Sequence, residues 1–330
     1  MSTRVAVIGG GRSSEHEVSL ASAAGVADAL REGGFDVVTL TVARDGLWWH
    51  DGAQLGTTVA ATVAAAVLVL GAVDAVVPMV HGRHGEDGTL AALCDLAGLA
   101  CVGSPLRAGA LAMDKWVTKL VAHALGIDVA AGRLITPADV NTVSWTAPVV
   151  VKPVAAGSSH GVSLVTTADG LAPALDRAFA LDDRVLIEQR VIGQEVDVAV
   201  FRRADGTLRA SAALEILTAG GVFDTERKYG ADTVFRCPAQ IDEDDAEALK
   251  EAAKALYAAL GCEGVARFDF FLTDAGSVLN EVNTTPGATA KSQVPVMYAA
   301  DGLEFPNLVT ALVATAVMQH EVQRTSHRPT

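Results

Sequence analysis

The first third of the chain alternates strand-length apolar runs with helix-length stretches. "RVAVIGGG" reads as a buried strand closing on glycines, "SLASAAGVADALREGG" as a helix ending on glycines, and "DVVTLTV" as a second strand. "DAVVPMV" reads as a further buried strand and "TLAALCDLAGL" as a helix. A helix between two strands returns the chain to the same end of the sheet, so the strands run parallel. The fold class expected is therefore α/β, with ligand clefts at the carboxyl edge of that sheet.

After about Met113 the pattern changes. "APVVVKPV" and "GVSLV" read as a hairpin around a small-residue loop, and "RVLIEQRV", "EVDVAVFRR" and "RASAALEI" as further strands. Long helices thin out to one clear case, "DEDDAEALKEAAKALYAALG", with acids at its N-terminal end and a terminal glycine. The C-terminal half is thus expected to be α+β. No internal repeat or low-complexity linker interrupts it.

Half of the 330 residues are hydrophobic, which suits about two or three packed domains and argues against disorder. The formal charge of −14 argues against a nucleic-acid partner, since phosphate backbones need clustered Lys and Arg. No membrane span is expected. The longest apolar stretch, residues 59–73, is short, contains Thr62 and Gly71 and stops at Asp74. No leader is expected either, because the opening apolar run is only strand-sized. Cys94, Cys101, Cys237 and Cys262 form no CxxC pair and read as reduced thiols of a cytoplasmic protein.

The glycine turn in "VIGGGRSSEHEVSLAS" departs from a dinucleotide fingerprint: Ser14 stands where the third glycine belongs, and no carboxylate ends the second strand. Glu15 and Glu17 either compensate the helix dipole, or Glu15 faces a cleft and holds an ammonium group. "HGRHGEDGTL" follows a buried strand. It is either a ligand loop or a polar loop capping the next helix through Asp87 or Thr89. His81 and His84 lack the further ligands of a metal site.

Lys152 ends a buried strand ahead of the loop at residues 155–161. A lysine followed by small residues and serines offers a point charge and backbone N–H groups to phosphate, and the order differs from a Walker loop. "GVARFDFFLTDAGSVLNEVN" reads as two strands around a turn at "TDAG". Strand alternation puts Arg267 and Asp269 on one face, and Glu281 and Asn283 on one face of the partner. Pairing the strands gathers Asp269, Glu281 and Asn283, three oxygen donors of the kind that hold Mg²⁺ beside phosphates. The alternative is a surface ion pair of Arg267 with an acid.

The ordered set "VAVIGGGRSSEHEVSLAS", "HGRHGEDGTL", "ALAMDKWVTKL", "VVVKPVAAGSSHGVSLV", "VLIEQRVIGQEVDVAV", "ERKYGAD", "RFDFFL" and "LNEVNTTPG" resembles the D-alanine–D-alanine ligase family of the ATP-grasp superfamily, over nearly the whole chain. The resemblance implies an ATP-grasp fold: an N-terminal parallel α/β domain at residues 1–112, a central subdomain at 113–192 and a C-terminal subdomain at 193–330. It implies a cytoplasmic, often dimeric ligase of peptidoglycan precursor synthesis, which phosphorylates one D-amino acid's carboxylate from ATP and joins it to the amine of a second.

By the same resemblance, Lys115, Lys152, Ser159 and Lys228 contact ATP phosphates. Glu188, Gln189, Val191 and Glu195 surround adenine and ribose. Asp269, Glu281 and Asn283 hold two Mg²⁺, with Mn²⁺ an alternative. Arg267 and the Gly287 N–H form the oxyanion hole. Glu15 and His81 take the first substrate, Ser158 and Tyr229 link to Glu15 to exclude water, and Lys291, Ser292 and Gln293 face the second substrate. The chain departs from the family at Gln189, where a lysine is usual, at Ala156, where glutamate is frequent, and at Ala288 and Gln293. A hydrogen-bonding Gln293 keeps open a different acceptor: D-serine, a 2-hydroxy acid or another amino acid. A catalytically inactive binding protein is the remaining class, against which the retained lysines, carboxylates and arginine argue.

Overall fold

A computed structural model describes residues 2–217 and 234–326. In the N-terminal region, β1 (Arg4–Gly10) lies parallel between β2 (Asp36–Val42) and β5 (Ala75–Pro78); β3 (Trp48–His50) and β4 (Ala53–Gln54) extend the β2 edge. Helices α1 (His16–Glu32), α2 (Val59–Leu70) and α3 (Thr89–Leu96) cover this sheet. The apolar run of β1 is continuous because both faces are buried. Val5 and Val7 pack with Val26 and Leu30 of α1, while Ala6 and Ile8 pack with Leu70 of α2 and Cys94 of α3. The long apolar stretch at residues 59–73 is thus mostly a surface-packed helix. Among the described residues no helix is long and apolar enough to cross a membrane.

Helices α4 (Leu106–Met113) and α5 (Lys115–Ala124) meet at Asp114, whose side chain caps α5 by accepting from the Val117 N–H at 3.0 Å. Strands β7 (Gly132–Ile135), β8 (Val149–Pro153), β9 (Ser163–Val165) and β10 (Val185–Gln189) form a second sheet in the order β7-β10-β8-β9, backed by α6 (Leu171–Phe179). The expected β8–β9 hairpin is present and antiparallel.

The third sheet contains β11 (Gln194–Arg202), β13 (Leu214–Leu217), β14 (Val234–Arg236), β15 (Val265–Thr273) and β16 (Gly276–Asn283), with β12 (Leu208–Ala210) on β11 and the short β6 (Asp128–Val129) on β16. "RASAALEI" is therefore two strands broken at Ser211, whose hydroxyl accepts from the Ala199 N–H and replaces a ladder bond. Helix α7 (Glu243–Leu260) covers one face through Leu249, Ala253 and Leu256. It ends on Gly261 at φ +71°, as its sequence indicates.

The expectation of one long C-terminal helix is corrected by α8 (Gln293–Ala300) and above all by α9 (Phe305–Ser326), 22 residues long. Its Val and Thr content weakens intrinsic helix preference. Tertiary burial decides the matter: Leu308, Val309 and Val313 of α9 join Val5 and Val7 of β1, Ala199 and Phe201 of β11, and Tyr298 of α8 in one core. That core fixes the N-terminal sheet against the third sheet.

Candidate active site

Two cavities meet between the sheets. One, of about 330 Å³, is lined by Lys115, Lys119, Lys152, Ser159, Glu188 and Glu195, with Gln189 and Val191 at its rim. The other, of about 710 Å³, is lined by Glu15, His81, Ser158, Gly287, Lys291 and Ser292. Lys115, Arg267, Glu281 and Gln293 belong to both walls.

The floor of the smaller cavity is a buried ion cluster. Glu188 on β10 stands 2.7 Å from Lys152 of β8 and 2.7 Å from Lys119 of α5. Each Glu188 oxygen thus faces one ammonium, Oε1 that of Lys119 and Oε2 that of Lys152. Burial and the neighbouring Lys152 push the Lys119 ammonium down to about 8, against the pull of Glu188. Burial alone would raise Glu188, but Lys152 and Lys119 outweigh it and hold the carboxyl below its ordinary value. Lys119 lies within "ALAMDKWVTKL" but carries no role in the sequence reading; its place one turn after Lys115 on α5 is the signal that marks it.

The loop after β8 is wound tightly, with Ser158 and Ser159 both left-handed at φ +50° and +56°, a costly conformation for non-glycine residues. It is anchored by the Ala155 N–H on Asp182 and by Lys115 Nζ on the Ala156 carbonyl at 2.9 Å. Ser158 donates to Glu15 Oε1. Glu15 precedes α1 but caps nothing with its side chain; its carboxylate turns into the larger cavity. Gly82 and Gly157 make that possible, since a Cβ on either would stand 2.9 or 2.7 Å from Glu15 Oε2. Asp87 caps α3 by accepting from the Thr89 N–H, so the loop carrying His81 both caps a helix and lines the cavity.

His81 is buried and tied at both nitrogens. Nδ1 lies 2.8 Å from the Thr285 carbonyl and Nε2 2.9 Å from Ser22 Oγ, which also accepts from the Ala288 N–H. Burial works to lower its basicity, yet Glu86, Glu15 and the Thr285 carbonyl leave it above the usual histidine value. Through these bonds α1 and the His81 loop hold the Thr285–Ala288 turn, placing the Gly287 backbone in the cavity wall. Ser22 is a positioning residue that the sequence does not single out, where it is one small residue among many.

The third group lies on β15 and β16. Asp269 pairs in register with Glu281, and Arg267 with Asn283, as strand alternation requires. Arg267 is not on the surface: it is 4 % exposed and donates from Nε and Nη2 to Asp269 at 2.6 and 2.7 Å. Burial opposes its charge, but Asp269 and Asp197 more than restore it. A bulge between Asp269 and Phe270 leaves Asn280 as an extra residue and turns it into the smaller cavity, where Lys152 donates to it at 3.3 Å. Asn280 therefore joins Glu281 in the wall, a placement simple alternation does not give. Glu281 is 3.4 Å from Lys115, and Asn283 accepts from the Thr285 N–H.

Gln293 is buried, accepts from Arg267 Nη1 at 2.6 Å and donates to Asp197 at 2.6 Å. Its amide is engaged at both ends with the protein, and the residue also lines both cavities. Ser292 bonds the Thr289 N–H and hydroxyl, and Lys291 is exposed at the cavity rim. Lys228 and Tyr229 lie outside the described residues.

Among the described residues no three His, Cys, Asp or Glu side chains converge on a metal-sized point. Asp269, Glu281 and Asn283 bring oxygen donors to neighbouring positions of β15 and β16, Asp269 lining the smaller cavity, Asn283 the larger and Glu281 both; oxygen donors of this kind suit a hard divalent cation that keeps water or phosphate ligands.

A family model for the D-ala D-ala ligase N-terminus matches residues 4–104, and one for the C-terminus matches residues 135–314. The D-alanine–D-alanine ligase of Mycolicibacterium smegmatis is 38 % identical, covering 96 % of this chain and 95 % of its own length. The enzyme of that name from Mycobacterium tuberculosis is 36 % identical over 95 % of each. The VanG D-Ala:D-Ser ligase of Enterococcus faecalis superposes with a TM-score of 0.81 at 32 % identity, covering 96 % of this chain and all of its own. The D-alanine–D-alanine ligase of Coxiella burnetii also gives 0.81, at 27 % identity over 98 % and 97 % of the two chains. With matches spanning both halves of the molecule, the chain belongs to the D-alanine–D-alanine ligase family and has its ATP-grasp fold.

Proposed function

We propose that this chain is an ATP-dependent ligase that joins two D-alanines for peptidoglycan precursor synthesis. One observation carries the reading: a lysine-floored cavity and a carboxylate-bearing cavity share Lys115, Arg267 and Glu281 as a common wall. A phosphoryl donor on one side then faces an amino-acid carboxylate on the other, which is the positioning such chemistry needs.

ATP occupies the smaller cavity. Glu188 suits the adenine amine, Glu195 suits ribose hydroxyls, and Lys115, Lys152 and Ser159 suit phosphate oxygens. The first D-alanine places its ammonium on Glu15 beside His81. Its carboxylate oxygen attacks the terminal phosphorus and the bond to ADP oxygen breaks. The second D-alanine's amine attacks the acyl phosphate carbonyl. Arg267 and the Gly287 N–H hold the oxyanion until phosphate departs with the C–O bond and the amine proton is released. Asp269, Glu281 and Asn283 would hold Mg²⁺, two ions or Mn²⁺ in their place, which would supply charge neutralisation at the phosphates. The Ser158–Glu15 bond ties the loop after β8 to the first-substrate end of the larger cavity, and water exclusion there protects the acyl phosphate from hydrolysis.

The proposal extends to three lobes, residues 1–112, 113–192 and 193–330, supported by the three sheets; among the described residues, β6 is the strand that pairs across that division. It extends to a cytoplasmic homodimer, with four free cysteines consistent with a reducing compartment. The likeness to a D-Ala:D-Ser ligase keeps D-serine as the second reading for the acceptor. The test is ATP- and Mg²⁺-dependent phosphate release with D-alanine alone, then with D- and L-amino and hydroxy acids, with products identified by mass. D-alanyl-D-alanine as main product is expected. A different dipeptide or a depsipeptide overturns the acceptor, and no release with any pair overturns the ligase reading.

A further inference from the structure

Arg267, Asp197 and Gln293 form a closed triangle beneath the oxyanion site. Arg267 Nη1 donates to Gln293 Oε1 at 2.6 Å, Gln293 Nε2 donates to Asp197 Oδ2 at 2.6 Å, and Asp197 Oδ2 lies 3.5 Å from Arg267 Nε. All three are buried, Asp197 to 1 % exposure. Asp197 on β11 stands directly across from Asp269 on β15, so two carboxylates face each other across one strand pair with the arginine beside them. With Nε and Nη2 held by Asp269 and Nη1 by Gln293, the guanidinium keeps one N–H on each terminal nitrogen for a ligand.

We propose that Gln293 is a positioning residue for Arg267: its amide links the guanidinium to Asp197 and fixes the free N–H fork on the oxyanion, so the second substrate is not read by this side chain. The proposal rests on the ligase reading. An amide is the required chemistry. Oε1 accepts from a cation while Nε2 donates to an anion, and only a neutral group with both functions satisfies the two neighbours at once. A leucine leaves Asp197 without this donor and Nη1 without an acceptor. A glutamate satisfies Arg267 but sets a carboxylate oxygen against Asp197 in a dry site. A link of this kind acts in the transition state, where charge on the carbonyl oxygen develops, and so shows in kcat more than in substrate binding.

The experiment is a four-enzyme set with wild type, Gln293→Leu, Gln293→Glu and the double variant Gln293→Glu/Asp197→Asn. It reads kcat, KM for each substrate, melting temperature and, by NMR, solvent exchange of the Arg267 Nη1 protons. Gln293→Leu is expected to lower kcat by roughly tenfold or more and Gln293→Glu by roughly a hundredfold, with KM for ATP within about threefold. In the double variant the two side chains exchange their chemistry. The introduced carboxylate at position 293 accepts from both Arg267 and the introduced amide at position 197, so kcat is expected to return to within about tenfold of wild type with a protected Nη1–H. The recovery separates the proposal from a folding defect, because a merely misfolded Gln293→Glu gains nothing from a second substitution. The proposal is overturned if Gln293→Leu keeps kcat within about threefold. It is also overturned if that variant changes acceptor preference at unchanged kcat, or if Asp197→Asn fails to rescue Gln293→Glu. Wild-type inactivity with every substrate pair sinks the ligase reading instead, and the Nη1–H exchange across the set still tests the link.

Discussion

The two cavity floors carry opposite charge imbalances. Beneath the smaller cavity, Lys119 and Lys152 surround Glu188. Beneath the shared wall, Asp269 and Asp197 surround Arg267, with Glu281 nearby. Both clusters are buried, and a buried ion set with surplus charge is costly unless a ligand completes it. The surplus cation lies where polyphosphate is proposed to bind, and the surplus anion where a divalent metal is proposed to bind. The protein thus holds two incomplete ion clusters of opposite sign side by side, and Lys115, 3.4 Å from Glu281, joins them.

The strongest way to break this contrast is at its centre. Arg267→Lys keeps one charge but loses the fork that serves Asp269, Gln293 and the oxyanion together; kcat should fall by roughly 10²–10³ in steady-state assays. A rise in KM alone, with kcat intact, would show that the arginine binds substrate without stabilising the transition state. Glu188→Gln sharpens the other side. It leaves two buried lysines without their acid, and KM for ATP should rise about tenfold with kcat changed much less. Equal effects on both parameters would mean the two floors are one electrostatic unit.

The smallest effect is on stability. Lys119 titrates near 8 in the folded chain against 10.5 for an ordinary lysine. Between those values the unfolded chain holds a proton that the folded chain has released, so stability from this group rises with pH across the window. The melting temperature of wild type minus that of Lys119→Met should therefore increase from pH 8 to 10.5, by about 3 °C. A flat or falling difference would mean that Glu188 holds the ammonium charged throughout.

Much of this is legible in the chain itself. Period-two patterning in "RFDFFL" and "LNEVN" puts Arg267 with Asp269 and Glu281 with Asn283, and the register bears that pairing out. The alternation of strand and helix at the start prescribes the parallel sheet. These are local rules, in which side-chain direction follows from backbone period. Three things depend on contacts distant in sequence. Helix α9 is held by a core shared with β1 and β11, which overrides its valine-rich preferences. Asn280 enters the cavity only because a bulge shifts the strand. Gln293, which by position belongs to the substrate, is drawn to Asp197 ninety-six residues away because two buried carboxylates and a guanidinium leave a gap that one amide satisfies. Pattern determines which face a residue takes; the tertiary structure decides what it meets there, because burial makes every unmatched charge or hydrogen bond costly enough to select its partner.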